Sequence, residues 1–391
     1  MYAETPNPSD AYSEANARFQ FWTRVPITKS LSWRGTFDLQ LDTHKNVDRG
    51  RWTDLDQRGI QQPAGAVSEF YLDAKLGHVD LRLGKQQIRW GRADGFNPTD
   101  NIIPYDYLDT FSDERLGVTA LKADVYLKRS NLEGVWVPYY TPTRLPIFGQ
   151  RWFPRLPESE QGVNLVYRDQ AGPLPARTFS NGQWGMRYNQ VLSRGEFSFS
   201  YFDGFDDIPY FRPSISPLPF LPPEHPRALV SLNREYYRVH VAGFDFASDL
   251  GPIGVRGEAA YFDQTDPGNL DHLLYILGVD KTWGDWFVIL QYAEQKVNGR
   301  LSGQAIFPDL GLRSTMIYRI EHTLGPARSF EIKGALRLRD GDLLLQPMYS
   351  VALSNSWRLK LGVTIFAGPR DTFFGQYRDS GHMNLELRYS Y

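Results

Sequence analysis

The 391-residue chain predicts an all-β fold: a transmembrane antiparallel up-and-down β-barrel of about 16 or 18 strands. Three observations carry this. Apolar and polar residues alternate with period two over stretches of ~10–13 residues, against a soluble mode of about 5–6. Short turns alternate with long joints. The polar faces are charged along their length, while the apolar faces end in Trp and Tyr, as an aromatic girdle would.

The strands can be taken in order. "LSWRGTFDLQLD" sets Leu31, Trp33, Phe37, Leu39 and Leu41 on one side, with Arg34, Thr36, Asp38, Gln40 and Asp42 on the other. "FEIKGALRLRD" sets Phe330, Ile332, Leu336 and Leu338 against Glu331, Lys333, Arg337 and Arg339. "WRLKLGVTIF" sets Trp357, Leu359, Leu361, Val363 and Ile365 against Arg358, Lys360 and Thr364. "NLELRYSY" closes the chain with Leu385, Leu387, Tyr389 and Tyr391 against Glu386 and Arg388. Short turns fall at "KLGHV", "LSRGE", "SDLGPI", "TWGDW" and "LSNSW"; longer joints span about residues 43–65, 89–115, 140–181, 204–234, 264–270, 298–312 and 368–381. Two of the joints are rich in proline, "YYTPTRLPIFGQRWFPRLP" and "IPYFRPSISPLPFLPPEHPR".

Bilayer physics accounts for the pattern. Hydrocarbon cannot hydrogen-bond a strand edge, so the sheet must close on itself. An Arg facing lipid at mid-bilayer would cost roughly 2–4 kcal/mol, so the charged face is the lumen. A soluble sandwich or propeller also alternates, but no blade-length repeat is visible. The strands number about seventeen, whereas bacterial single-chain barrels have even totals. "ARFQFWTRV" runs into a short turn, so a strand should precede it: one upstream of this sequence, a weak one within "YAETPNPSDAYSEA", or else one pair is miscounted. The expected organisation is an N-terminal segment over 1–16 and a single barrel over 17–391, with an in-folded loop at 89–113.

Composition narrows function. With no cysteine there are no disulfides, thiolate metal sites or covalent haem attachment. A net charge of −2, from 43 basic and 45 acidic residues, gives no general nucleic-acid binder. No apolar run reaches the roughly 18 residues of a spanning helix. "MYAETPNPSDAYSEA" has neither the basic nor the apolar region of a signal peptide, and reads as the start of a mature or trimmed chain. The seven His are scattered, and none lies in a hydrolase or metalloprotease motif, so no catalytic residue and no enzyme activity is expected. No intrinsic cofactor and no metal site is expected either.

"RLGKQQIRWGRADGFNPTDNIIPYD", Arg82 to Asp106, begins as a strand and ends in polar turn formers. Its glycines do not form a nucleotide loop, and no helix follows. Asp94, Asn97, Asp100, Asn101, Asp106 and Asp109 offer oxygens to calcium, though not at EF-hand spacing. A loop folded into the lumen suits the composition better, with Trp90, Phe96 and Tyr105 wedged against the wall.

This region, with the strand pair that follows, is similar to a broad group of porin-like outer-membrane barrel proteins of Gram-negative bacteria. The shared pattern falls on Gly84, Lys85, Gln86, Trp90, Gly91, Asn97, Pro98, Asp100, Val135, Pro138 and Tyr139, and covers roughly residues 66–140. The resemblance implies a porin-like barrel without fixing a substrate. Some barrels of this general kind sheathe multihaem cytochromes. The final strand, ending in Tyr391, resembles the signal read by the barrel assembly machinery.

The expected function is an outer-membrane channel for passive passage of small polar or anionic solutes. Arg82, Trp90, Asp94 and Asp100 would shape its constriction, opposite Arg337, Arg339, Lys360, Arg388 and Arg34. Arg18, Arg24, Lys333 and Arg358 extend the cationic lumen face, with Asp38, Asp42, Glu331 and Glu386 as its acidic members. One alternative is a sleeve housing a multihaem cytochrome, whose haem would belong to that partner. Another is an exporter or uptake channel for a hydrophobic molecule or polymer. Outer-membrane lipid and the assembly machinery are the expected partners, and nucleic acid is not.

Overall fold

The computed structural model describes residues 13–43, 46–48, 50, 58–108, 114–146, 151–156, 159–160, 162–170, 172–218, 227–265, 271–298 and 311–390. The strands, in chain order, begin with β1 (Asn16–Pro26), β2 (Leu31–Asp42), β3 (Val47–Asp48), β4 (Gln62–Pro63), β5 (Gly65–Leu76), β6 (Val79–Gln86), β7 (Val118–Tyr126) and β8 (Ser130–Val137). Next come β9 (Ser159–Glu160), β10 (Val163–Gln170), β11 (Gln183–Val191), β12 (Gly195–Phe205), β13 (Tyr210–Pro217), β14 (Arg227–Glu235), β15 (Arg238–Leu250) and β16 (Ile253–Gln264). The last are β17 (Asp271–Trp283), β18 (Trp286–Asn298), β19 (Thr315–Thr323), β20 (Arg328–Arg337), β21 (Asp342–Ala352), β22 (Trp357–Ala367) and β23 (His382–Tyr389).

Seventeen of these strands form one sheet. Each wall strand pairs antiparallel with the next in an unbroken meander from β1 to β23, with β8 joined to β11 and β12 to β15. One register shift, between Thr36 and Phe37, bends β2 against β5. The turns are tight at one end, as at "TWGDW", where Gly284 takes φ +55°, a conformation open to glycine without strain. The long joints gather at the other end.

Side chains alternate as bilayer physics requires. Phe199, Phe244, Leu277, Leu290, Leu361 and Leu385 are exposed on one face, while Ser198, Asp245, Glu258 and Gln291 are buried on the other. Trp283, Trp286, Trp357 and Tyr389 are exposed at the tight-turn end, and Trp136, Trp184, Tyr201 and Tyr261 at the opposite end. These two belts bracket the apolar band and match the interfaces of a membrane. The protein is therefore a transmembrane antiparallel β-barrel.

The described residues reach neither 16 nor 18 wall strands. An odd count makes β1 and β23 run in the same direction. No pairing joins these two strands among the described residues, and all eleven residues of β1 are exposed. The segment over 1–16 is only partly within the described residues.

Two features depart from the sequence reading. The proline-rich joints carry strands: β13, β14, β10 and β9 form a separate four-stranded sheet. β10 pairs parallel with β14, and among the described residues β13 pairs with β14 alone. Pro213 is tolerated there because β13 is an edge strand, with one side free of ladder bonds. The second feature concerns Arg339. Strand β20 stops at Arg337, so Arg339 sits exposed in the tight turn to β21 rather than on the wall. Gly341, at φ +69° and bonded through its N–H to the Arg337 carbonyl, closes that turn.

Candidate functional site

The segment from Gln87 to Leu108 leaves β6 and lies against the buried face of the wall. Its apolar half packs first. Ile88, Trp90, Ile102 and Ile103 form a cluster with Val118, Ala120, Val135, Val137, Phe202, Val239, Val241 and Ala260. Ala93 and Phe96 pack against a second cluster of Leu274, Ile276, Ala293 and Leu312. Both clusters lie on the face opposite the lipid-facing residues. On the far side of the sheet Trp152, Phe374 and Tyr377 pack on Leu344 and Phe366.

Charge then fixes the position of the segment. The Arg92 guanidinium donates to Glu196 at 2.9 Å and to Ser198 at 2.8 Å, and also contacts Asn189 and Asp245. Asp245 is fully buried and takes a second, bidentate partner in Arg187, at 3.2 Å to each oxygen. Glu258 accepts from the backbone N–H groups of Arg92 and Ala93 and from the Thr99 hydroxyl at 3.1 Å. Arg256 donates to Asp94 at 3.2 Å and to the Arg92 carbonyl at 3.3 Å, and is held by Asp280 at 2.6 Å. Four wall strands thus grip one short stretch by charge-assisted bonds, the stronger class of hydrogen bond.

Gly91 makes this grip possible. Its φ is +94°, and a Cβ there would lie 2.7 Å from both Glu258 carboxylate oxygens. Gly91→Ala should therefore displace the carboxylate or the backbone and cost on the order of 1–3 kcal/mol in the docking of the segment. Protease susceptibility between residues 87 and 108, measured on the membrane-inserted barrel, should rise. Wild-type resistance would show that the fit is looser than this.

The site residues expected from sequence fall into three places. Trp90 is 1% exposed; its indole N–H donates to Glu133 at 2.8 Å, and its backbone N–H to Asp100 at 3.2 Å. Asp100 is buried and paired with Arg115 at 2.6 Å, and Arg115 stacks 3.5 Å from the Tyr105 ring centroid. These two residues pin the segment and do not face open volume, whereas Asp94 keeps 42% of its side chain exposed. Arg82 stands lower on the wall, 4.0 Å from Asp73 and over the Tyr71 ring.

Most of the cations expected opposite have carboxylate partners close by. Arg34 pairs with Glu69 at 3.0 Å, Arg337 with Asp340 at 2.6 Å, and Lys360 and Arg388 both with Glu386, at 3.2 and 2.9 Å. Arg18 pairs with Asp38 at 3.0 Å and Glu114 at 2.7 Å, and Arg24 with Asp73 at 3.3 Å. The carboxylates considered for calcium also go separately to arginines: Asp94 to Arg256, Asp100 to Arg115 and Asp106 to Arg144. Asp109 lies outside the described residues. Among the described residues no group of three or more His, Asp or Glu converges to hold a metal.

Sequence reasoning missed Arg92 and its wall partners Asp245, Glu258 and Arg256. A signal for the wall partners existed: Asp245, Arg256 and Glu258 place charges on the polar register of alternating strands, Asp245 directly after Phe244 and Glu258 directly after Gly257.

Two loop carboxyls titrate unusually. Burial pushes Asp100 up to about 7, against the pull of Arg115. Burial also pushes Asp206 up to about 7, and the neighbouring Asp207 adds to the rise. Asp206 accepts from the Ile208 N–H and from Gln264, and Asp207 from Thr143. Both titrating groups hold protons that an exposed carboxyl, with a pKa near 4, would release. Their stabilising contribution is complete below about pH 4 and is lost as pH rises through about 7. Amide exchange around residues 97–101 and 205–209, corrected for intrinsic rates, should be slower at about pH 5 than at about pH 8; the reverse order would contradict this assignment.

The chain is similar in fold to OccAB4 of Acinetobacter baumannii, at 10% identity and a TM-score of 0.50, covering 96% of this chain and 90% of that one. It is similar to OpdK of Pseudomonas aeruginosa, solved with vanillate, at 11% identity and a TM-score of 0.52, covering 96% and 92%. OccK8 (OprE) of the same organism gives 12% identity and a TM-score of 0.50, covering 90% and 88%. The fold is that of bacterial outer-membrane porins. No curated protein matches by sequence. The family profile described as "Protein of unknown function (DUF1302)" matches residues 14–278, more than half of the sequence, and the chain belongs to that family.

Proposed function

We propose that this protein is an outer-membrane channel through which small polar solutes, anions among them, diffuse passively. The observation that carries the reading is the gripped segment Gln87–Leu108: a wall of porin type narrowed from inside by a stretch whose exposed edge, Asp94 beside Arg256, is charged. A path that is narrow, polar and lined by both signs suits small hydrated solutes and needs no chemistry. Among proteins of this fold, OpdK was solved with vanillate, a small carboxylate, which supports including anions. Outer-membrane lipid and the barrel assembly machinery are the partners this reading requires.

The same observation weighs against a cytochrome sleeve. Trp90, Ile102 and Ile103, packed on Val135, Val137 and Val241, fill space that an inserted partner would need.

Planar-bilayer recording tests the proposal. Stepwise, ohmic conductance is expected, with a reversal potential in a salt gradient that favours the anion mildly, because most lumen cations are already paired. Absence of conductance sinks the channel, and a cation-favouring reversal sinks the anion preference.

A further inference from the structure

A second charged feature lies on the same inner face, nearer the tight-turn end, and touches the gripped segment only through Glu133, which takes both Lys122 and the Trp90 indole. It is a recess of about 260 Å³ whose lining includes Arg24, Asp73, Lys75, Asp80, Arg82 and Lys122, with Asp124 and Tyr126 at one side. This volume suits only a small molecule, being below the usual 300–1,000 Å³ of drug-sized pockets.

The register makes its charge arrangement unusual. Arg82 on β6 stands directly opposite Lys122 on β7, and Asp80 directly opposite Asp124. Like charges in directly opposed positions destabilise a sheet. The cation pair and the carboxylate pair lie two residues apart along the strands, about 7 Å of rise. On the β5 side the pattern is complementary, with Lys75 opposite Asp80 and Asp73 opposite Arg82.

Some of these charges are satisfied within the wall. Lys122 reaches Asp124 at 3.3 Å and Glu133 at 3.1 Å, and Asp73 takes Arg24 at 3.3 Å. Lys75 and Asp80 form no ion pair with each other among the described residues, although they are opposite in sign and directly opposed. Arg82 approaches Asp73 only to 4.0 Å, and its buried Nε has no hydrogen-bond partner. Charges of both signs therefore line one small polar space, with Lys75 and Arg82 not held in close ion pairs by the carboxylates directly opposite them.

We propose that this recess is a binding site for a small zwitterion, its carboxylate against Lys75 and Arg82 and its ammonium against Asp80 and Asp124. A plain anion would meet the Asp80–Asp124 pair, and a plain cation the Arg82–Lys122 pair. A solute carrying both charges a few ångströms apart, such as an α-amino acid, relieves both repulsions together. The site deepens the channel reading, since such a solute reaches the recess through the lumen.

The test uses ligand-observed NMR on the full chain in detergent micelles, with L-alanine, acetate and ethylammonium as probes at equal concentration and ionic strength. Alanine should show saturation transfer, and the two single-charge probes should bind about tenfold more weakly. Lys75→Gln and Asp80→Asn should each weaken alanine about tenfold, with heat-modifiable gel mobility confirming that each variant is folded. Acetate binding as well as alanine, no transfer from any probe, or unaltered binding in both folded variants would each overturn the proposal. The readout is independent of conductance. A barrel that binds alanine but never conducts keeps the recess and loses the channel; one that conducts without binding alanine does the opposite.

Discussion

Replacing Arg92 with alanine should release the inner segment while leaving the barrel inserted. Arg92 joins Glu196, Ser198, Asn189 and Asp245, which come from three successive wall strands. Its loss leaves Asp245 buried with Arg187 as its remaining ion-pair partner. Stripping one partner from a buried charge costs about 3–5 kcal/mol, and the low end applies here because Arg187 stays in place. Single-channel conductance should rise and become noisier as the segment samples undocked positions. An unchanged current, with insertion verified, would show that the segment does not limit the pore. The double variant with Asp245→Asn separates the causes: it takes the ion-pair partner from the largely buried Arg187 as well, so it should be less stable than Arg92→Ala, with conductance no closer to wild type.

Trp90→Ala should have an effect of similar size by a different route. The ring lies within the cluster of Ile88, Ile102, Ile103, Val135 and Val137. Truncating a buried aromatic typically costs about 3–5 kcal/mol through lost contacts and the cavity left behind. Here the indole N–H also leaves Glu133 with one donor fewer, though Lys122 still pairs with that carboxylate at 3.1 Å. Chemical denaturation of the detergent-solubilised protein should show a lower midpoint. Trp90→Phe should recover most of the apolar part and none of the hydrogen bond. Equal losses for Ala and Phe would move the weight from packing to that bond.

The fold was legible in the sequence because its signal is local. A strand one pleat wide declares its two faces within ten residues, and Leu361 and Leu385 appear on the lipid side where alternation puts them. The site was less legible because its partners are distant. Trp90 and Asp100 stand out as a tryptophan and an acid in a turn-rich loop, but nothing nearby says that Asp100 is bound to Arg115 or that Trp90 reaches Glu133. The basic residues of the last strands illustrate the same limit. Alternation assigns Lys360 and Arg388 to one face, yet both share the carboxylate of Glu386 on the same pair of strands, which halves their combined charge. Alternation alone puts Arg339 on the wall because the pattern "LRLRD" continues through the tight turn, where backbone geometry rather than alternation decides direction.

The grip on the inner segment also bears on the order of folding. Wall strands join neighbours along the chain, so hairpins can form early from short loops. The contacts that seat Arg92, Ala93 and Thr99 instead reach residues 97 to 166 positions away. Such closures carry the larger entropic cost and wait on their partners. The narrowing is therefore among the last parts to be completed: β12 and β16 must stand in the wall before Glu196 and Glu258 can receive the segment. A nascent barrel would pass through a wide-open stage, and the seating of one arginine would bring that stage to an end.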